Sequence, residues 1–252
     1  PPLHNLLGRL RAAGEELLAV GAAPGGRVGE AASGGGGVGL APGNFESILH
    51  ESFPPCMRLL VQHQHTGRHL RHQGRLQLRP FLREAGLGLG DALAWWKREL
   101  RRDPEITEDV YGQREYTYEV EHAYGQRGNM KLAFACSCAK LIDLPPAGGP
   151  RVHGCPFQRR HVTPQHLERI LALWQLPADG ASAVLALAAE DQPRLACAAF
   201  FRAVHAGAPQ DQRPLLHPNE YLRQSRHLRL AAQAGRMGGS VAGDVARGVG
   251  GA

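Results

Sequence analysis

The chain has 252 residues, 43% of them hydrophobic but only 6% aromatic, and carries a formal charge of +6. That length accommodates one sizeable core with appendages, and no apolar run approaches the roughly 20 residues that a membrane-spanning helix needs. Five cysteines, an odd number, argue against a closed disulfide framework and leave reduced thiols, metal ligands or core cysteines.

At the N-terminus Leu3, Leu6, Leu7, Leu10, Leu17 and Leu18 recur at helical spacing, so residues 1–20 read as one amphipathic helix, a remnant of an N-terminal domain. The chain begins without a signal pattern or an initiator Met, as expected of a piece of a longer protein. Residues 21–44 are rich in glycine, without periodicity, and read as a linker. Folding is expected to start near Phe45 and to continue through residue 230. Within this domain, Asp91 is placed to cap a helix in which Leu93, Trp96, Lys97 and Leu100 share a face. Thr163-Pro164 marks a cap followed by proline at the first helical position, and the helix it opens would bury Leu167, Ile170, Leu171 and Trp174. Ala181 to Ala189 reads as a short buried helix, and Pro193 opens another with Cys197, Phe200, Phe201 and Val204 facing inward. Tyr116 to Glu121 alternates with period two and is expected to form a strand. Residues 231–252, rich in Gly and Ala, are expected to be a disordered tail. Gly86-x-Gly88-x-Gly90 lacks both a preceding strand and a lysine, so it reads as a turn rather than a phosphate loop.

Between Cys56 and Arg83 there is no acidic residue, while Arg68, Arg71, Arg75, Arg79 and Arg83 step by three or four. On a helix they would form one ridge, although Gly74 and Pro80 are expected to split it between a turn and a helix start. Such a ridge is either a solvated face or an anion-binding edge, and the missing acids favour anion binding, with phosphates as the natural ligands. His63-x-His65 has no carboxylate or cysteine nearby in sequence to complete a metal site.

The cysteines lie far apart, unlike those of ferredoxins or zinc fingers, so spacing alone leaves buried free thiols as an open reading. Context points the other way. Cys56 follows Pro54-Pro55 and Cys155 sits between Gly154 and Pro156, rigid settings that suit thiolates aimed at a fixed centre.

These residues resemble the C-terminal domain found in large subunits of eukaryotic and archaeal DNA primases. FPPCMR (53–58), HLRHQGRLQ (69–77), ALAWWKREL (92–100), YTYEVEHAYG (116–125), CSCAKLI (136–142), HGCPF (153–157), LACAAFFRAVH (195–205) and HPNEYLRQS (217–225) occur in the family's order. The resemblance implies a mainly α, two-lobed helical domain around a 4Fe-4S cluster with a small β-hairpin, flanked by the disordered linker and tail. It implies Cys56, Cys138, Cys155 and Cys197 as cluster ligands, with Cys138 preferred to Cys136 because it directly precedes AKLI. It implies a DNA-binding, non-catalytic subunit of the primosome, active in nuclear DNA replication. That subunit would grip the DNA template and the 5′-triphosphate end of the RNA primer, with no membrane association. Its partners would be the small catalytic primase subunit and the DNA polymerase alpha complex. His69, Arg71, His72, Arg75 and Arg83 would contact phosphates, and Tyr116 and Tyr118 would lie near template and cluster. Trp96 would serve as core or as a base-stacking surface.

The chain departs from the family at Glu119 and Glu121, acidic where neutral or basic residues are usual, at Leu76 in place of methionine, at Pro80, and in an Ala-rich expansion at 177–192. Two other classes compete. A zinc-stapled scaffold would use the same thiols. An iron–sulfur DNA repair enzyme would need a Lys–Asp pair or a carboxylate cluster beside the basic edge, where acids are sparse.

Overall fold

The computed structural model describes residues 39–148, 151–205, 207–209 and 213–244. The expected helix at 3–20 and nearly all of the glycine-rich linker lie outside the described residues.

Leu40, five residues before Phe45, is already packed: its side chain is buried and its N–H donates to the Ala85 carbonyl at 2.8 Å. After a 3₁₀ turn, eleven helices follow: α1 (Phe45–Ser52), α2 (Pro55–His65), α3 (His72–Glu84), α4 (Leu89–Leu100), α5 (Glu108–Gln113), α6 (Tyr116–Ala123), α7 (Cys138–Asp143), α8 (Pro164–Leu173), α9 (Ala178–Ala189), α10 (Pro193–Val204) and α11 (Pro218–Asp244). No strand occurs among the described residues.

The expected strand, and with it the β-hairpin, is corrected to helix α6. Tyr116, Val120 and Ala123 are the buried positions, at i, i+4 and i+7, whereas alternation would have buried Tyr118, which is 41% exposed. The short β-like run is overridden by a helical face that packs on α4.

Two hydrophobic cores divide the helices. The first joins α1 to α6 around Met57, Leu60, Phe81 and Trp96, all fully buried, and settles Trp96 as a core residue. The second joins α8, α9 and α10 around Trp174, Val184, Phe200 and Phe201. The two meet along α2, where Leu60 and Val61 enter the first core and Leu59 packs on the second. Trp174 adds a hydrogen bond from its indole N–H to Gln62 Oε1 at 2.7 Å, and Arg58 lies 4.8 Å from the Trp174 ring centre. Helix α11 also serves both cores, giving Leu222 to the first and Tyr221 to the second. It runs on through Asp244, so the stretch from Ala231 that reads as disordered tail is helical to that point.

The caps and faces read from sequence around Thr163 hold: its side chain accepts from the His166 N–H, and Leu167, Ile170, Leu171 and Trp174 are all buried. Helix α4 is capped by Gly88, and Asp91 lies inside its first turn, where a negative charge suits the helix dipole. On α4 Trp96 and Leu100 are buried, whereas Lys97 stays exposed and pairs with Glu108 at 2.6 Å. Helix α9 is one-sided rather than buried all round, with only Val184 and Ala188 fully covered.

Neither Gly74 nor Pro80 breaks α3. Proline inside a helix costs about 3 kcal/mol, and burial of Leu78, Phe81 and Leu82 at roughly 1.5–3 kcal/mol each offsets it. Gly74 has a packing role: a Cβ there would meet the Val152 carbonyl oxygen at 2.8 Å, so its absence lets the 151–155 segment lie directly on α3. Gly74→Ala is expected to destabilise the protein by about 1–3 kcal/mol. Gly90→Ala, at an open helical position, is expected to add about 0.5–1 kcal/mol. Denaturant midpoints of the two variants check both signs.

Candidate functional site

Four segments bring Cys56, Cys138, Cys155 and Cys197 to the wall of one cavity. Each thiol owes its position to local chain stiffness. Pro54 caps α2 and Pro55 occupies its first position, so Cys56 sits in the first helical turn. Cys138 opens α7 behind Ser137, whose hydroxyl accepts from the Lys140 N–H at 3.3 Å. Cys155 follows Gly154, which holds φ +81°, and a Cβ at Gly154 would strike the His161 ring at 2.7 Å. Cys197 faces the cavity from α10, whose first residue is Pro193. Cys136 lies apart, packed on the first core.

One residue that sequence reasoning misses ties two of these segments together. Gln77, buried on α3, accepts from the Gly154 N–H at 2.6 Å and donates to the carbonyls of Gly154 (3.3 Å) and Cys56 (3.4 Å). A glutamine facing inward on an arginine-rich helix is the available signal. Tyr221, also buried, closes another side of the cavity and packs edge-on against Phe201 at 4.9 Å.

The electrostatics of the cavity disfavour thiolates unless a cation accompanies them. Burial, then the charges of Cys138, Cys155 and Cys197, push the Cys56 thiol well up, and Cys197 is raised in the same way. Burial takes Cys155 up to about 12 and Cys138 up to about 11. A multiply positive centre reverses this balance by pairing with all four sulfurs. The donor chemistry, four thiols and no buried carboxylate on the cavity wall among the described residues, therefore fits a soft metal centre.

Spacing speaks to the size of that centre. Among the described residues, the sole group of three or more His, Cys, Asp or Glu ligand atoms within 4.8 Å of one another is His69, Asp103 and Glu105, so no three thiols are that close. A single zinc with sulfurs at about 2.3 Å holds them roughly 3.8 Å apart.

The basic edge is organised differently from an open ridge. Arg71 and His72 are exposed at the start of α3. Arg75, by contrast, is buried: it forks onto Glu119 of α6 (3.0 and 3.2 Å), donates to the Leu70 carbonyl (2.8 Å) and lies 5.0 Å from the Tyr116 ring centre. Arg79 pairs with the same carboxylate above Trp96, and burial brings its guanidinium down to about 10. His72 is 3.9 Å from Glu119. Burial pushes Glu119 up, but the hydrogen bonds and charges of Arg75 and Arg79 outweigh it and hold the carboxyl below its ordinary value. Arg83 donates to the Ala123 carbonyl at 2.9 Å and lies over the Phe134 ring. His69 is buried, its ring Nδ1 2.5 Å from the Asp103 carboxylate, which also accepts the His69 backbone N–H at 3.0 Å. Tyr116 is a core residue beside Tyr111, whereas Tyr118 is exposed and stacked on His122 at 6.0 Å. No helix among the described residues is long and apolar enough to cross a membrane.

The sequence also matches known proteins. Residues 46–222 match the family model for the C-terminal domain of the large subunit of eukaryotic and archaeal DNA primase. The mouse DNA primase large subunit is 34% identical over 184 residues, covering 73% of this chain and 35% of the mouse protein. A probable DNA primase large subunit of Arabidopsis thaliana is 34% identical over 188 residues, 73% of this chain and 39% of that protein. The human DNA primase large subunit is 32% identical over 187 residues, 73% and 35% respectively. The chain thus spans little more than a third of the length of these relatives. It belongs to the family of C-terminal domains of eukaryotic and archaeal DNA primase large subunits.

Proposed function

We propose that this domain is the non-catalytic, nuclear part of a primase that holds the DNA template and the 5′-triphosphate end of the RNA primer. Nucleotidyl transfer would reside in the small subunit, and the DNA polymerase alpha complex would receive the primer. The observation that carries the reading is the convergence of Cys56, Cys138, Cys155 and Cys197 on one cavity between the two cores. These four would hold a 4Fe-4S cluster, and the wide sulfur spacing favours such a polynuclear centre over a zinc staple. The cluster would supply a rigid junction; the chain's own residues do the gripping.

Arg71 and His72 offer exposed cations at the start of α3, and Arg75 and Arg83 stand behind them. Glu119 occupies the position where a phosphate group would meet Arg75, Arg79 and His72. A triphosphate, with more charge than one carboxylate, displaces it through the same bidentate geometry. The affinity is then a competition between an internal and an external anion, and Glu119 sets its offset.

Three outcomes test this reading. Anaerobically purified protein is expected to contain about four iron and four sulfide per chain, lost on Cys197→Ser and retained on Cys136→Ser; a zinc-loaded, colourless preparation would sink the cluster. Template–primer junctions with a 5′-triphosphate are expected to bind more tightly than 5′-hydroxyl ones, with a preference that weakens as salt rises, and equal binding in a competition assay refutes the primer-end reading. Glu119→Gln is expected to sharpen the triphosphate preference. Because the Glu119 carboxyl sits below its ordinary value, the stability it contributes is full above about pH 4.5 and fades as pH falls through the depressed value. Acid unfolding of Glu119→Gln is therefore expected to show a flatter limb below about pH 4.5.

A further inference from the structure

Arg75, Arg79 and Arg83 of α3 are committed inside the protein, and beyond Arg71 a second group of exposed arginines lies elsewhere. Arg68, Arg151, Arg159, Arg160 and Arg169 line an open cleft of about 910 Å3 between the end of α2, the 151–163 segment and the start of α8. All five are exposed. No acidic residue lines the cleft, and none of the five takes part in an ion pair among the described residues. The sequence carries the same feature as an acid-free run from Leu144 to Leu167.

We propose that this cleft is a second nucleic-acid site that holds the backbone of a single strand, separate from the α3–α6 edge. The reading rests on the domain being a nucleic-acid binder but not on the primer end being its ligand. All five cations are arginine, whose planar fork pairs with phosphate oxygens in a bidentate way. Helix α8 opens into the cleft at Thr163 and has no acid in its first turn, so its N-terminal dipole adds to the field. His161 also lines the cleft. His63, also on the cleft wall, is held below its ordinary value first by burial and then by the charges of Arg68 and His69.

The walls favour a single strand over a lone phosphate or a closed duplex. Leu173, 73% exposed, presents apolar surface beside the cations, with the half-buried Leu59 also on the wall. His153 and His161 add a ring pair at 5.8 Å. Cations that follow a backbone beside apolar and ring surfaces that accept bases are the pattern of sequence-tolerant single-strand binding.

The test uses the full chain with its metal centre and a mixed-sequence single-stranded DNA bearing a 5′-hydroxyl, followed by fluorescence anisotropy across salt concentrations. The double variant Arg160→Glu/Arg169→Glu is expected to weaken binding by about tenfold or more and to reduce the log–log salt slope by about 1.4, at roughly 0.7 per lost phosphate contact. Its ratio of 5′-triphosphate to 5′-hydroxyl affinity is expected to stay as in the parent, whereas Arg71→Ala/His72→Ala is expected to lower that ratio and leave the single-strand slope in place. Arg160→Lys/Arg169→Lys, which keeps the charge, separates lost contact from misfolding by retaining most of the slope. Unchanged affinity and slope in the glutamate variant overturn the proposal. So does tighter binding of a blunt duplex than of the single strand, or equal displacement by polyglutamate, which would make the cleft a site for acidic peptides. A collapsed triphosphate preference in the parent would defeat the primer-end reading alone.

Discussion

The constraint on which the rest depends is the meeting of four thiols across one cavity, drawn from segments as far apart as Cys56 and Cys197. The two hydrophobic cores are each packed about their own centre. What fixes one against the other is a thin seam made of α2, Gln77, the Cys155 turn and the head of α11. Burial and mutual repulsion both oppose ionisation of the four sulfurs. A multiply positive centre would reverse that balance. Close packing shapes the seam: Gly74 lets the 151–155 strip lie on α3, and Gly154 keeps the His161 ring clear.

Much of the helical layout is legible in the sequence because its signals are local. Thr163-Pro164 carries its own cap and its own apolar period, and α8 follows from both. Elements fail where the deciding contact is distant. Tyr116, Tyr118 and Val120 alternate as a strand would, yet the face they must cover is set by α4, about twenty residues away, and only helical spacing supplies it. Pro80 looks like a breaker until the burial of Leu78, Phe81 and Leu82 is weighed against it. The candidate thiols come from the family resemblance together with the Pro-Pro and Gly-Cys-Pro contexts. Tyr221 on the cavity wall is invisible in the sequence, since its residue type announces no metal environment, and Gln77 behind the Cys56 and Cys155 segments leaves only the trace of a glutamine facing inward.

Charge shows the same division between what a sequence lists and what a fold does with it. The acid-free run from Cys56 to Arg83 suggests a continuous cationic edge, but one carboxylate 44 residues beyond Arg75, Glu119, engages Arg75 and Arg79 and draws them inward. The ridge becomes a guarded edge with only its leading residues open. The less conspicuous arginines around Cys155 meet no such partner and remain on the surface. Counting cations along a chain therefore locates basic segments without ranking their availability.

The order of the walls along the polypeptide has a further consequence. Cys56 is made first, and the side of the cavity built by Pro218 and Tyr221 is complete only 165 residues later. At roughly 5–20 residues per second of synthesis, the earliest thiol waits about ten to thirty seconds before the enclosure can close. During that interval the cavity lacks the side that α11 supplies, and the cover available to the thiol is its packing on the first core. The shelter of nascent sulfur thus rests on how early that core forms.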